Sequence, residues 1–225
     1  MKDPYLMILK YRNILLNDLV ILTNLNEEVL LNKLSLIKDF IEIRNREIRV
    51  LKPLDLSIFL IKNGYSIREI SKYIDWYDFE KVVGEVLSLN SYFVYRNLRV
   101  TRPVRMEIDI IGVDIASGRG LLIDCKHWSR GVSRSSLVKI IDKHRERVLK
   151  FIKYFNWFRN KWIYFKYIKS VIPLIITLTT PIIRVYNNVL VVSIQELNNV
   201  LIDLYNVLDI FNIQEFSLRK FHTGY

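Results

Sequence analysis

Apolar and polar positions along this chain change period, and the changes mark its organisation. Residues 5–22 carry apolar side chains at the three-to-four spacing of a helix. Asn26 stands just before Glu27 and Glu28, which predicts a helix start: its amide oxygen can accept a free N–H, and the acids suit the positive end of the helix dipole. Phe40-Ile-Glu-Ile-Arg and Glu47-Ile-Arg-Val-Leu then alternate with period two around Asn45-Arg46, the pattern of two strands joined by a tight turn. Helical spacing returns over residues 54–61 and stops at Asn63-Gly64. Ser66 and Glu69 are spaced as a capping box before another helical run. Helices plus a charged hairpin predict a small winged-helix-like domain over residues 1–75, serving DNA binding or dimerisation. Residues 66–74 are expected to form the second helix of its helix-turn-helix.

Residues 76–225 show a different rhythm. Asp78 is expected to cap a helix over residues 79–89, with Phe79, Val82, Val83, Val86 and Leu87 on one face. A strand at 92–95 leads into a basic connector, 96–105, that contains Arg96, Arg99, Arg102 and Arg105. Strands at 106–113 and 121–125 flank a turn at 117–120. Ser135 or Ser136 opens a long helix reaching about Tyr167. Apolar strands at 173–178 and 189–192 follow, and the Ser193/Glu196 pair starts a last helix. The order predicts an α/β fold, a mixed sheet flanked by helices.

Composition narrows the function. The 225 residues hold 34 Lys and Arg against 23 Asp and Glu, a net charge of +11, which suits a polyanionic partner but also a membrane surface or plain solubility. The single cysteine, Cys125, excludes an internal disulfide and a Cys-rich zinc site, and fits a reducing interior. The apolar run 171–183 is interrupted by Pro173 and Pro181 and is shorter than the roughly 20 residues of a membrane span. With no leader pattern at the N-terminus, the expectation is a cytoplasmic, nucleoid-associated protein without a membrane partner. Between residues 137 and 169, ten Lys or Arg oppose only Asp142 and Glu146, with aromatics interleaved. The aromatics read best as core. Lys139, Lys143, Arg145 and Arg147, with Arg102 and Arg105, are the expected nucleic-acid contacts. Arg145 shares a face with Ile141, Val148, Ile152 and Phe155, so it needs an anionic partner, either a scissile phosphate or Asp124.

The candidate chemistry sits on two neighbouring segments, Glu107-Ile-Asp-Ile-Ile-Gly-Val-Asp114 and Leu121-Leu-Ile-Asp-Cys-Lys126. Asp109 and Asp124 lie at the ends of adjacent strands, and strands pair about 4.8 Å apart, so the two carboxylates can share a hard divalent cation. The backbone carbonyl of Cys125 points toward the same place. Lys126 has the strand parity of Asp124 and can orient a water or balance transition-state charge. Glu107 shares parity with Asp109, as a site-edge carboxylate or as an ion-pair partner of Arg102 or Arg105. His127 has the opposite parity and reads as packing rather than as a base. Trp128 reads as a cover for the sheet end. Of Ser133, Ser135 and Ser136, one is a helix cap, and the others are available to a phosphate.

These residues resemble a family. Phe79-Glu80, Tyr92-Phe-Val-Tyr, Glu107-Ile-Asp109-Ile-Ile and Ile123-Asp124-Cys-Lys126-His-Trp128 look like the motifs of the PD-(D/E)XK nuclease superfamily, in the style of Mrr-type restriction nucleases and archaeal Holliday-junction resolvases. The resemblance covers roughly residues 76–195 and implies a restriction-endonuclease-like fold. It implies Asp109 and Asp124 as metal ligands, Lys126 as the catalytic lysine, and Mg2+ as cofactor with Mn2+ as a substitute. It also implies a further glutamate ligand from the preceding helix. Glu80 is the choice, and Glu85, about 140° away around the helix, is the competitor. The motif's proline is replaced here by Ile108. The expected activity is metal-dependent endonucleolytic hydrolysis of DNA, structure-selective or of restriction or repair type; enzymes that cut two strands usually do so as homodimers, while the sequence leaves the oligomeric state open. The alternative is a non-catalytic DNA-binding regulator with a degenerate nuclease domain.

Overall fold

Segment 5–22 is not one helix. A computed structural model describes residues 2–128 and 131–218, and in it the first helix, α1 (Pro4–Tyr11), stops at Arg12, whose φ of 61° ends the helical run. Asp3 caps α1, its Oδ1 accepting from the N–H groups of Tyr5 and Leu6 at 2.9 and 3.1 Å. A short strand β1 (Asn13–Leu15) and helix α2 (Leu16–Thr23) follow, then α3 (Glu27–Ser35), capped by Asn26. Strands β2 (Ile41–Arg44) and β3 (Glu47–Val50) form the hairpin. Asn45 and Arg46 both have positive φ, the turn geometry whose twist matches the strands it joins. β1 adds to β3, giving the order β1-β3-β2. The break at Arg12 carries no glycine or proline, which is why helical spacing alone ran through it. Helices α4 (Pro53–Lys62) and α5 (Ile67–Ser71) close this unit. Its core holds Ile8, Leu9, Leu19, Leu30, Ile37, Ile48, Leu56 and Ile70. The 66–74 segment therefore contributes a five-residue helix that buries Ile70.

The chain divides into two units, Met1–Asp78 and Phe79–Tyr225. Helix α6 (Trp76–Leu89) begins just before that boundary. Its first turn is capped by Asp75, whose Oδ1 accepts the Asp78 N–H at 2.8 Å, so Asp78 lies inside the helix rather than at its cap. Strands β4 (Phe93–Val100), β5 (Met106–Asp114) and β6 (Arg119–Lys126) form an antiparallel meander. The expected basic connector is thus partly strand: Leu98 and Val100 are buried between exposed arginines.

Helix α7 (Arg134–Lys153) is capped by Ser133, not by Ser135 or Ser136, and ends at Lys153 rather than near Tyr167. The chain turns back through α8 (Phe155–Phe158) and a 3-10 turn, Ile163–Tyr167. That reversal sets Phe165 against Phe151, with ring centroids 6.0 Å apart. In a straight helix fourteen residues would separate them by about 21 Å. Phe151, Phe155, Phe158 and Phe165 are buried with Ile111, Val113 and Leu122 of the sheet, so these aromatics are core.

Strands β7 (Ser170–Thr177), β8 (Val185–Tyr186) and β9 (Val189–Ser193) extend the sheet. Helices α9 (Ile194–Ile202) and α10 (Leu204–Ile210) and strand β10 (Phe216–Ser217) complete the described chain. The sheet order is β4-β5-β6-β7-β9-β8, with β10 beside β7; β6, β7 and β9 are parallel and the other pairs antiparallel. The unit is a mixed α/β fold, a seven-stranded sheet flanked by helices. The Ser193/Glu196 capping box starts α9. Among the described residues no helix is long and apolar enough to cross a membrane.

Candidate active site

The sheet forks where the candidate acids stand. The β5–β6 ladder runs from Asp114 opposite Arg119 to Ile110 opposite Ile123 and then stops. Past that point β5 pairs with β4, Ile108 facing Leu98 and Glu107 facing Arg99. β6 continues along β7, Asp124 facing Ile175 and Lys126 facing Thr177. The backbone N–H of Cys125 is donated instead to Asp109 Oδ2, at 2.8 Å. Asp109 and Asp124 thus flank the fork, and both are buried. Asp124 meets two cations: Lys126 Nζ lies 2.6 Å from Oδ2, and Arg147 Nη1 donates to Oδ1 at 2.7 Å. Lys126 Nζ also lies 3.3 Å from the Cys125 carbonyl oxygen. Glu80 is 2% exposed, on the α6 face that buries Phe79, Val83 and Val86, and its Oε1 has no hydrogen-bond partner.

The charges are out of balance. Burial pushes the Glu80 carboxyl up to about 7, helped by Asp109, Glu107 and Asp124 and opposed by Lys126. Burial likewise lifts Asp109 to about 6, with Asp124 adding to the rise and the Cys125 N–H, Lys126 and Arg147 working against it. Asp124 goes the other way. Burial would raise it, but His144, Lys126 and Arg147 outweigh burial and hold it below the ordinary carboxylate value. His144 is buried, which lowers its imidazole against the pull of Asp124 and the Leu122 carbonyl. His144 Nε2 lies 2.9 Å from the Leu122 carbonyl oxygen, which only accepts, so Nε2 carries the proton. The Cys125 thiol is fully buried and pushed up by that burial, an inert packing group.

No family model matches the chain, and no curated protein matches it. Among solved structures, the crystal structure of protein VC1899 from Vibrio cholerae aligns with 92% of this chain at 12% identity and a TM-score of 0.37. The alignment covers 51% of that chain, so this sequence spans about half the length of that structure. A likeness at that level assigns neither fold nor function.

The geometry sorts the remaining candidates. Arg147, not Arg145, meets Asp124. The buried stripe of α7 runs through Leu137, Ile141, His144, Val148 and Phe151. At 100° per residue, positions 145 and 147 flank that stripe on opposite sides, and only the tertiary fold decides which one faces the sheet. Glu107 pairs with Arg99, its cross-strand partner, at 2.5 Å, rather than with Arg102 or Arg105. The His127 ring packs 5.2 Å from that of Phe79, and Trp128 packs on the cluster of Leu137, Ile141 and Ile183. Glu85 is half-buried, whereas Glu80 is the helix carboxylate coupled to Asp109 and Asp124.

A cleft of about 710 Å³ reaches the acids through Arg147 and is lined by Arg99, Arg105, Lys143, Glu146, Arg147 and Lys150 along with Glu107. It gathers three of the expected nucleic-acid contacts, Arg105, Lys143 and Arg147. Arg102, Lys139 and Arg145 do not line it. Arg99 and Lys150 do, although neither stands out in the sequence from the other basic residues around it. Among the described residues, no three His, Cys, Asp or Glu side chains are arranged to hold a metal ion.

Proposed function

We propose that the Phe79–Tyr225 unit is a divalent-cation-dependent DNA endonuclease of the PD-(D/E)XK type. One observation carries the reading: buried acids stand on either side of a sheet fork, with a lysine two residues beyond one of them. The oxygen chemistry of the donors suits a hard cation, although Glu80, Asp109 and Asp124 are not gathered around a common point in this structure. Glu80 Oε1 is buried and unbonded, and Glu80 and Asp109 are both lifted chiefly by burial and further by the neighbouring carboxylates. Oxygen ligands of this kind suit Mg2+ or Mn2+. Glu80, Asp109, Asp124 and the Cys125 carbonyl would hold the ion, and when bound it would neutralise phosphate charge and acidify water.

The chain's own groups supply the rest. Lys126 is anchored between Asp124 and the Cys125 carbonyl, so its ammonium is preplaced to orient the nucleophile and balance charge as the phosphorus is attacked. The Asp109 carboxylate, fixed by the Cys125 N–H, keeps one oxygen directed by the backbone. Arg105, Lys143 and Lys150 offer charge to the flanking phosphates. Incubating the protein with linear, flapped, Holliday-junction and modified DNA, with and without Mg2+ or Mn2+, tests the reading. Asp124→Ala and Lys126→Ala should abolish ion-dependent cleavage while DNA binding survives. Undiminished cleavage by both variants would sink the assignment. The Asp124 ion triad also suits a regulator that binds DNA without cutting it, and binding with no cleavage across that panel would favour this second reading.

For the Met1–Asp78 unit, the order helix, strand, helix, helix, hairpin supports a winged-helix reading, with α3 rather than residues 66–74 as the helix before the wing. This unit holds 12 Lys and Arg against 11 Asp and Glu, leaving 22 against 12 for the rest of the chain. It also exposes Ile21 at 76% and Leu36 at 68%. Near-neutral charge and exposed apolar side chains favour dimerisation over DNA contact for this unit.

A further inference from the structure

Arg147 belongs to two places at once. It lines the basic cleft, and it donates to Asp124 Oδ1. With Lys126 on the other oxygen, both oxygens of Asp124 face cations. In that arrangement Asp124 presents ammonium and guanidinium, not lone pairs, to an incoming cation. Asp124 is fixed in a strand and almost fully buried, whereas the Arg147 side chain is 34% exposed. If the pair opens, Arg147 is the group able to move.

The cleft shows where it would go. Its wall holds five cations, Arg99, Arg105, Lys143, Arg147 and Lys150, against Glu107 and Glu146, and Glu107 is already paired with Arg99. A guanidinium holds a phosphate through two parallel N–H bonds, a stronger geometry than a single-nitrogen contact to a carboxylate.

We infer that this cleft binds a backbone phosphate of the DNA strand, and that Arg147 is a latch which leaves Asp124 for that phosphate, so the acid site accepts its cation only when DNA is seated. The inference rests on the nuclease reading for the identity of the cation and the DNA, but it concerns binding, not cleavage. Coupling between two ligands is reciprocal: DNA must raise cation affinity by the same factor as the cation raises DNA affinity. Couplings of this kind are commonly about 5- to 150-fold, and about tenfold is expected here. Arg147 is a positioning residue in this scheme.

The test uses the full chain and Mn2+, whose free ion is counted by electron paramagnetic resonance. Titrations run with and without a short phosphorothioate duplex that resists cleavage, with duplex-only controls subtracted. In the native protein the duplex should tighten Mn2+ binding about tenfold. Arg147→Gln should bind Mn2+ tightly without DNA and lose most of that gain, and Arg147→Lys should restore part of it. Lys143→Gln combined with Lys150→Gln should weaken duplex binding and leave DNA-free Mn2+ binding unchanged. Should Arg147→Gln misfold, Arg147→Lys and the native titrations carry the latch test, and duplex binding undiminished in the lysine pair would overturn the cleft as the phosphate site. Equal gains in the native protein and in folded Arg147→Gln would overturn the latch, as would the absence of any gain in the native protein. Coupling without cleavage would leave the latch standing and remove the nuclease assignment; cleavage without coupling would do the reverse.

Discussion

Replacing Glu80 by glutamine tests the electrostatics of the site while keeping its shape. In chelating buffer the folded protein holds the Glu80 proton up to about pH 7, whereas an unfolded chain releases it near the ordinary glutamate value of 4.5. Between those values the native state binds more protons than the unfolded state, so stability falls as pH rises. The favourable contribution is fully present below 4.5 and is lost as pH climbs through about 7. A tenfold difference in proton affinity between the two states is about 1.4 kcal/mol, so the interval from 4.5 to about 7 sets a ceiling of about 3 kcal/mol. Relaxation of the surrounding groups and the nearby Lys126 charge bring the expectation to about 1–2 kcal/mol. Glutamine cannot ionise. Glu80→Gln should therefore be more stable than the native protein by that amount at about pH 8, and equal to it at about pH 4. Urea denaturation at the two pH values measures the difference. Adding Mg2+ should reverse the order, because a ligand bound only by the native state stabilises it by mass action and the variant lacks one ligand oxygen. A gain of the same size at both pH values, or a loss at high pH without metal, would refute the claim that uncompensated charge is buried here.

Other substitutions probe the frame around the site. Phe151→Ala removes a fully buried ring stacked on Phe158 at 5.0 Å and should cost about 3–5 kcal/mol in chemical denaturation; a loss below about 1 kcal/mol would mean the aromatic cluster is not core. Two glycines should respond oppositely to alanine. In α6, a Cβ at Gly84 would meet Val94 and Arg96 at ordinary distances of 3.5 and 3.6 Å, so Gly84→Ala should raise stability by about 0.5–1 kcal/mol through helix propensity. Gly118 has φ +78° and its Cβ would lie 2.8 Å from Lys169 Cδ and 3.2 Å from the Tyr167 carbonyl oxygen, so Gly118→Ala should lower stability by about 1–2 kcal/mol. Thermal unfolding of the two variants side by side checks the contrast.

Local chemistry was legible in the sequence, and long-range placement was not. The Asn26 and Ser193 caps and the Asn45-Arg46 turn each follow from side chains acting on their own backbone, and such signals are complete within a few residues. The failures came where distant partners decide. Residues 151–165 keep helical spacing, yet the chain doubles back because Phe165 gains more against Phe151 than in a solvated helix. Arg145 and Arg147 are equivalent on a helical wheel, and only the approach of β6 selects Arg147. Strand parity brought Asp124 and Lys126 to one face. It said nothing of the second cation on Asp124, or of the N–H that Cys125 gives to Asp109.

The fork between β5 and β6 has a mechanical consequence. Ladder bonds resist stretching between strands, but none runs across the gap where Asp109 and Asp124 stand. The two carboxylates are mounted on separate blades, β4–β5 and β6–β7, joined only along residues 110–114 and 119–123. A small splay of the blades changes the span between the acids and strains the Asp109 bond to the Cys125 N–H rather than a run of ladder bonds. For the proposed cation site, such compliance means the protein adjusts to the radius of its ion. Discrimination among divalent ions would then rest on how readily each sheds water rather than on a rigid cage.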